Sequence, residues 1–151
     1  MKGIPKRIGV LTGGGDCPGL NAVIRAVTKT AITDYDMEVV GFKDGYQGLV
    51  ENKYVNMTSG FVSGILTMGG TILGTNNRVN PFHFPMLEKG KTVHLDRSDE
   101  AMANIESLGL EVLVCIGGDG TMAVSKKMED KGLKIVGVPK TIDNDLWGML
   151  K

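Results

Sequence analysis

The sequence predicts an α/β fold, with a doubly wound, mostly parallel sheet and helices on both faces (Rossmann-like). Short apolar runs alternate with stretches of helical periodicity along the chain, which is the order that builds parallel sheets. Glycine-rich turns follow the apolar runs, and the 22 glycines are about twice the usual ~7% share. The 151 residues, 42% of them hydrophobic, suffice for one domain with its own core.

The first part of the chain predicts the opening of a β-α-β unit. Arg7–Thr12 is a short apolar run typical of a buried strand, and a glycine turn follows it. Pro18–Ile32 carries apolar residues at helical spacing, and a proline at the start of a helix loses no hydrogen bond. Glu38–Lys43 is the second predicted strand, and Asp44–Gly48 is the turn expected after it.

The last third of the chain predicts two more strands and two helices. Ser98 is expected to cap a helix over Asp99–Leu108, because serine favours that position and the acidic first turn suits the helix dipole. Glu111–Ile116 is apolar throughout, as in parallel strands covered on both faces. A helix through about Asp130 and a final strand over Lys134–Val138 complete the alternation.

The middle of the chain is less regular. Thr58–Met68 predicts a short helix, which Gly60 and Gly64 weaken because glycine disfavours helix interiors. Val79–Arg97 is polar and contains two prolines, so we expect an irregular surface excursion there.

Composition excludes several classes of protein. Seventeen basic and seventeen acidic residues cancel, which argues against a nucleic-acid partner, whose binding depends on neutralising phosphates. Cys17 and Cys115 are the only cysteines, which suggests reduced thiols in the cytoplasm. No apolar run reaches the ~18 residues of a membrane span. The first residues lead straight into a strand, so we expect no signal peptide.

Glycine-rich turns give the first indication of function. Gly13–Gly15, Gly69–Gly74 and Gly117–Gly120 fall at or beside the carboxyl ends of predicted strands, where ligands of open α/β sheets bind. Glycine lets backbone N–H groups approach phosphate oxygens, and a following helix adds positive potential. One such turn can be purely structural. Three that converge, two of them beside Asp16 and Asp119, predict a phosphate site.

Two segments near the end predict phosphoryl transfer. Gly117–Thr121 is a glycine turn with one carboxylate, a layout for a nucleotide phosphate and its Mg²⁺. Pro139–Asp145 combines two carboxylates, a hydroxyl and a cation, a layout for proton transfer and for neutralising phosphate charge. The chain has no Walker loop. It has no dinucleotide fingerprint either, because Asp16 stands where that helix would open.

Five blocks of the sequence resemble the 6-phosphofructokinase family, in family order and across nearly the whole chain. These blocks are Thr12–Asn21, Asp44–Leu49, Gly69–Gly74, Gly117–Thr121 and Pro139–Asp145. The resemblance implies phosphoryl transfer from ATP·Mg to the 1-hydroxyl of fructose 6-phosphate. Fructose 6-phosphate is therefore the small-molecule partner that we expect.

The resemblance also implies roles for individual residues. Gly15 would pack against the phosphates of the donor, and Arg78 would neutralise them. Asp119 would hold Mg²⁺. Asp143 resembles the general base that accepts the proton of the sugar hydroxyl. The remaining implied site residues are Gly118, Gly120 and Thr121 for the donor, with Thr141, Asp145 and Lys140 in the catalytic group.

The donor is implied by two positions that point in different directions. Family members with Asp at the Gly120 position use pyrophosphate, so Gly120 leaves room for the α-phosphate of ATP. Lys140 is the residue found in pyrophosphate-using members. The combination resembles an ATP-using subgroup of the pyrophosphate-like branch, and pyrophosphate stays open as the alternative.

Several other interpretations stay open. Asp119 could cap the following helix without binding metal. Arg25 and Lys29 could form a solvated helix face or contact a phosphate at an effector site or subunit interface. A NAD or lipid kinase would share the Gly-Gly-Asp-Gly turn, although the Thr141–Asp145 block argues against it. A non-catalytic nucleotide-binding fragment is the alternative from another class.

The resemblance covers only part of a family member. We expect residues 1–151 to form a single nucleotide-binding domain that resembles the N-terminal half of the enzyme. The second half, which supplies most of the sugar-phosphate site, is absent from this sequence. We expect the full-length protein to be a homo-oligomer of the cytoplasm, without a nucleic-acid or membrane partner.

Overall fold

The computed structural model describes residues 6–140 of the chain. Within this range there are seven strands and four helices. In chain order they are β1 (Arg7–Thr12), α1 (Leu20–Tyr35), β2 (Glu38–Phe42), α2 (Tyr46–Glu51), β3 (Tyr54–Met57), β4 (Phe84–Glu88), β5 (Lys91–Leu95), α3 (Ser98–Ser107), β6 (Val112–Gly117), α4 (Asp119–Asp130) and β7 (Ile135–Pro139). None of the helices in this range is long and apolar enough to cross a membrane.

Five of the strands form one sheet in the order β3-β2-β1-β6-β7. The strands β2, β1, β6 and β7 run parallel to one another, and β3 pairs antiparallel with β2 at one edge. The predicted α/β fold with a mostly parallel sheet is confirmed. The strands β4 and β5 form a separate antiparallel hairpin.

Two apolar cores cover the two faces of the sheet. Successive residues of a strand point to opposite faces, so Leu11 of β1 packs with α2, α3 and α4, whereas Val10 packs with α1 and the segment before residue 74. Both of these side chains are fully buried. Helices on both faces are what the continuous apolar runs of β1 and β6 require.

The middle of the chain differs from the expectation. The predicted turn at Asp44–Gly48 contains the start of α2, and the predicted helix over Thr58–Met68 is a series of turns. Gly64 has a φ of 78°, a left-handed conformation that ends any helix there. The hydroxyl of Thr58 accepts the N–H of Phe61, a local turn that competes with helix formation.

The predicted irregular excursion over Val79–Arg97 contains the hairpin of β4 and β5. Its two strands are joined at Lys89 and Gly90, which both have positive φ, as a tight hairpin turn requires. Phe84 anchors the hairpin because it is buried and packs under the guanidinium of Arg97.

The start of α3 also differs from the expectation. Ser98 is the first residue of the helix and not its cap, and Arg97 occupies the capping position without a side-chain hydrogen bond. Asp96 instead accepts hydrogen bonds from both the N–H and the hydroxyl of Ser98.

Candidate phosphate-binding site

The order of the strands places a crevice at the carboxyl ends of β1 and β6. The chain leaves β1 toward β2 on one side and leaves β6 toward β7 on the other, so the connections diverge between these two neighbours. Ligands of open α/β sheets bind at such a point. The glycine turns after β1 and β6 are joined there, because the N–H of Gly13 donates to the carbonyl of Ile116 at 2.8 Å.

A cavity of about 300 Å³ opens at this crevice. It combines glycine backbone and polar side chains with an apolar wall. Its lining consists of Gly14, Tyr46, Asn76, Asn77, Arg78, Val79, Asn80, Gly118, Gly120, Thr121 and Val124. An anionic ligand could therefore meet backbone N–H groups and a guanidinium, while an apolar part of it could contact the two valines.

The structure brings most of the site residues expected from the sequence together. Arg78 lies on this cavity with three residues that follow β6, which are Gly118, Gly120 and Thr121. Gly15 is exposed beside the cavity residue Gly14. Thr141, Asp143 and Asp145, which the sequence analysis assigns to the catalytic group, lie outside the described residues.

Thr121 explains why the turns after β1 and β6 both need glycine. Its side chain is buried, and a Cβ atom added at Gly13 or at Gly117 would overlap it. The hydroxyl-bearing side chain therefore fills the space between the two turns. This packing brings the backbone of the turns as close as glycine alone permits.

Lys140 joins the end of β7 to both glycine turns. Its backbone N–H donates to the carbonyl of Gly117 at 2.9 Å, and its ammonium group donates to the carbonyl of Gly15. The ammonium nitrogen also lies 3.7 Å from the place where a Cβ of Gly14 would stand. A positive charge therefore sits directly over the first turn, where it favours an anion.

The segment after Gly74 supplies the third side of the cavity. The hydroxyl of Thr75 donates to the carbonyl of Gly14 at 2.6 Å, and the amide of Asn76 donates to the side chain of Gln47 at 2.9 Å. The backbone N–H of Arg78 donates to the side-chain oxygen of Asn76 at 2.9 Å. The position of Arg78 is therefore fixed relative to the first turn and to α2.

Asp119 is the candidate magnesium ligand of the described chain. It is exposed and is the first residue of α4, whereas Gly118 occupies the N-cap position. The alternative that Asp119 caps this helix is therefore wrong. Between residues 6 and 140 no three acidic, histidine or cysteine side chains gather into a metal cluster. One carboxylate still fits Mg²⁺, which commonly takes its other ligands from substrate phosphates and water.

A buried polar network lies below the glycine turn that follows β6. The phenol oxygen of Tyr46 lies 2.6 Å from the hydroxyl of Ser125, which donates to the carbonyl of Thr121 at 2.8 Å. The phenol also contacts the thiol of Cys115, which is buried in the core. Burial, reinforced by the neighbouring thiol, raises the pKa of Tyr46 far above its ordinary value.

This network predicts a loss of stability at alkaline pH. Tyr46 ionises near pH 10 when unfolded and only at higher pH when folded, so its contribution is complete below pH 10 and declines above it. The decline should approach ~1.4 kcal/mol for each pH unit. We expect urea denaturation between pH 9 and 11 to show this loss in the wild type relative to Tyr46→Phe, which cannot ionise there. Parallel curves for the two proteins would contradict the assignment.

Sequence reasoning missed some of the cavity residues. Asn80, Val79 and Val124 carry no motif that distinguishes them from surface or core residues. Tyr46 lies within the block Asp44–Leu49, and Asn76 lies two residues after the block Gly69–Gly74. These blocks were the signal in the sequence that could have identified the two residues. Their place in the cavity depends on α2 and on the loop after Gly74, neither of which periodicity predicts.

Two other grooves lie at the opposite end of the parallel strands. A groove of about 420 Å³ includes Arg7, Glu38 and Met57, and one of about 450 Å³ includes Glu111 and Lys134. Both contain residues at the amino ends of parallel strands, away from the glycine turns. The carboxyl ends of the strands lie beside the N-terminus of α4 and the backbone N–H groups of the glycine turns, so this end of the sheet suits an anion better.

The fold and the crevice define a class of α/β protein with a glycine-lined cavity, a candidate anion site, at the switch point of the sheet. The family model described as "Phosphofructokinase" matches residues 7–150, so the chain belongs to the phosphofructokinase family. ATP-dependent 6-phosphofructokinase 2 of Clostridium perfringens is 54% identical over 142 residues. ATP-dependent 6-phosphofructokinase 3 of Bacteroides thetaiotaomicron is 50% identical over 143 residues.

These relatives are longer than the chain. The matches cover 93% and 94% of the chain but only 39% and 41% of the two relatives. Among solved structures, phosphofructokinase from Pichia pastoris in the T-state superimposes with a TM-score of 0.81 at 32% identity, over 97% of the chain and 16% of that protein. A pyrophosphate-dependent phosphofructokinase from Marinobacter aquaeolei shares the fold, with a TM-score of 0.76 at 18% identity, over 95% of the chain and 35% of that protein.

Proposed function

We propose that this chain is the nucleotide-binding half of an ATP-dependent 6-phosphofructokinase. The protein would transfer a phosphoryl group from ATP·Mg to the 1-hydroxyl of fructose 6-phosphate and so form fructose 1,6-bisphosphate in glycolysis. The observation that carries this proposal is the meeting of two glycine turns and Arg78 at one cavity beside β1 and β6. The names of the two relatives support the same activity.

The cavity favours ATP over pyrophosphate as the donor. Val79 and Val124 offer an apolar wall that a bare pyrophosphate would leave unused. No atom lies within 4 Å of the place where a Cβ of Gly120 would stand, which leaves room for a further phosphate. Pyrophosphate is the second candidate, because the family resemblance links Lys140 to members that use it.

We assign the donor site to residues of the two glycine turns and the loop between them. Gly15, Gly118, Gly120 and Thr121 would contact the donor phosphates through the backbone, and Arg78 would neutralise them. Asp119 would hold Mg²⁺, which when bound supplies positive charge at the phosphate oxygens.

We assign the acceptor chemistry to the block after β7. Asp143 would accept the proton of the sugar hydroxyl, and Thr141 and Asp145 would lie beside the reacting groups. Lys140 would add positive charge, because its ammonium group already stands over the first turn. This division suits phosphoryl transfer, which depends on positioning and charge neutralisation more than on covalent chemistry.

The proposal extends to the whole protein. Residues 1–151 would be one nucleotide-binding domain, and the remainder of a longer protein would complete the site for fructose 6-phosphate. A homo-oligomer in the cytoplasm is the assembly we propose. The family assignment gives no support to the NAD-kinase and lipid-kinase alternatives.

Gly120→Asp tests the choice of donor. The new carboxylate would stand in the open space beside Gly120 and repel the α-phosphate of ATP. We expect kcat/KM for ATP to fall at least about tenfold, equivalent to ~1.4 kcal/mol. Gly120→Ala is the matched control, because a methyl group fits the same space without charge. ATP kinetics that are the same in Gly120→Asp and in the wild type would refute this argument.

An assay of the full-length gene product tests the function itself. The protein is supplied with fructose 6-phosphate and either ATP·Mg or pyrophosphate·Mg, and fructose 1,6-bisphosphate is measured. We expect product with ATP at a higher kcat/KM than with pyrophosphate. If ATP·Mg raises the melting temperature but neither donor gives product, the non-catalytic nucleotide-binding alternative is correct.

A further inference from the structure

The peptide bond between Gly14 and Gly15 has no steric reason to face one way. A peptide flip changes ψ of the first residue and φ of the second, and glycine tolerates both outcomes at each position. Gly14 already has a φ of 75°. Hydrogen bonds to this peptide must therefore decide which of its two sides presents the carbonyl oxygen and which presents the N–H group.

Thr75 provides the hydrogen bond that decides the orientation. Its hydroxyl donates to the carbonyl oxygen of Gly14 at 2.6 Å, across 61 residues of sequence. Two further hydrogen bonds hold the backbone that precedes Thr75. The hydroxyl of Thr12, at the end of β1, donates to the carbonyl of Gly74 at 2.9 Å, and the side chain of Asn21 accepts the N–H of Ile72 at 2.7 Å.

The orientation of this carbonyl fixes the orientation of the N–H group of Gly15. In a trans peptide the C=O and N–H groups point in opposite directions, and no peptide bond in the described range is cis. The N–H of Gly15 therefore points away from Thr75. Among residues 6–140 this N–H donates to no backbone carbonyl, so it is available to an oxygen of a ligand.

We propose that Thr75 is a positioning residue of the donor site. Its hydroxyl holds the Gly14–Gly15 peptide in the orientation that presents the N–H of Gly15, and not the carbonyl oxygen of Gly14, to a donor phosphate. Lys140 acts on the next carbonyl in the same way, because its ammonium group donates to Gly15. The proposal rests on the proposed function, since it assumes that the anion at the first turn is a phosphate of the donor.

The effect of the hydroxyl is measured with three variants of the full-length gene product. Thr75→Val removes the hydroxyl and keeps the shape, Thr75→Ser keeps the hydroxyl, and Thr92→Val changes an exposed threonine on β5 as the control. We expect Thr75→Val to raise KM for ATP about tenfold, the effect of one lost hydrogen bond. We expect KM for fructose 6-phosphate to stay within twofold, and Thr75→Ser and Thr92→Val to resemble the wild type.

A purely structural role would give a different pattern. It would lower the melting temperature and affect both substrates, and the serine variant would not restore the donor KM selectively. An unchanged KM for ATP in Thr75→Val would overturn the proposal. If Thr75→Val does not fold, Thr75→Ala is compared with Thr75→Ser in the same assay, and equal donor KM values for these two variants would overturn it as well.

Crystal structures without ligand separate this proposal from the proposed function. We expect the carbonyl of Gly14 to face residue 75 in the wild type and in Thr75→Ser, and to be reversed or in two orientations in Thr75→Val. The same orientation in all three proteins would refute the role of Thr75, even if the protein is an active kinase. A reversed peptide in Thr75→Val, in a protein that forms no product with any donor, would support the role of the hydroxyl and reject the proposed function.

Discussion

Asp143→Asn should lower kcat of the full-length gene product by about 10²–10⁴-fold, the range that a positioned general base contributes. Asparagine has nearly the same shape but cannot accept the proton of the sugar hydroxyl at neutral pH. The KM values for both substrates should change little, because the proton moves only as the reaction proceeds. Initial rates of fructose 1,6-bisphosphate formation measure the effect.

Asp130→Asn is the matched control for this substitution. Asp130 is exposed at the end of α4, where it pairs with Lys126 at 3.3 Å, and no role in the site is proposed for it. Its variant should keep the kcat of the wild type. A kcat for Asp143→Asn close to that of the control would mean that another group accepts the proton, or that the reaction is not the one proposed.

Gly48→Ala should destabilise the fold by about 3 kcal/mol or more, at or above the upper end of the ~1–3 kcal/mol typical of overpacking. A Cβ at this position would overlap the carbonyl oxygen of Lys43 and lie 2.8 Å from that of Lys53. Both are backbone atoms, of the residues directly after β2 and directly before β3, so relief requires α2 to move away from these segments. Urea denaturation measures the free energy of unfolding.

Gly60→Ala is the control for Gly48→Ala. A Cβ at Gly60 would meet no atom closer than 3.8 Å, so its effect should stay within about ±0.5 kcal/mol. Because α2 carries Tyr46 and Gln47, which contact the site, Gly48→Ala should also weaken donor binding. Equal stability of the two variants would contradict the close approach of Gly48 to the backbone of Lys43 and Lys53.

The parallel strands were predictable because each is a short, mostly apolar run with turn residues close to it. The five strands of the main sheet include four that the sequence predicted within one or two residues, from Arg7 to Pro139. The fifth, β3, was not predicted, because its four residues, Tyr54–Met57, do not form a continuous apolar run. The helix α2 was missed because Gly45 and Gly48 resemble a turn, and they are needed for close contacts with Thr12 and Lys43.

The candidate site was predictable where its residues follow strands directly. Gly118, Asp119 and Gly120 follow β6 directly, and the sheet order brings the end of β6 beside the end of β1. The role of Thr75 could not be predicted, because its partner Gly14 is 61 residues away. Such a contact depends on how two loops meet in space, which neither periodicity nor motif spacing encodes.

Hydrogen–deuterium exchange of the full-length gene product, with and without ATP·Mg, is the sharpest test of the proposed donor site. We expect ATP·Mg to slow exchange in three segments near the carboxyl ends of the parallel strands, around Gly14, Arg78 and Gly120. Slower exchange at the amino ends of the strands instead, in the groove that includes Arg7 and Met57, would show that the nucleotide binds elsewhere and would refute the proposed donor site.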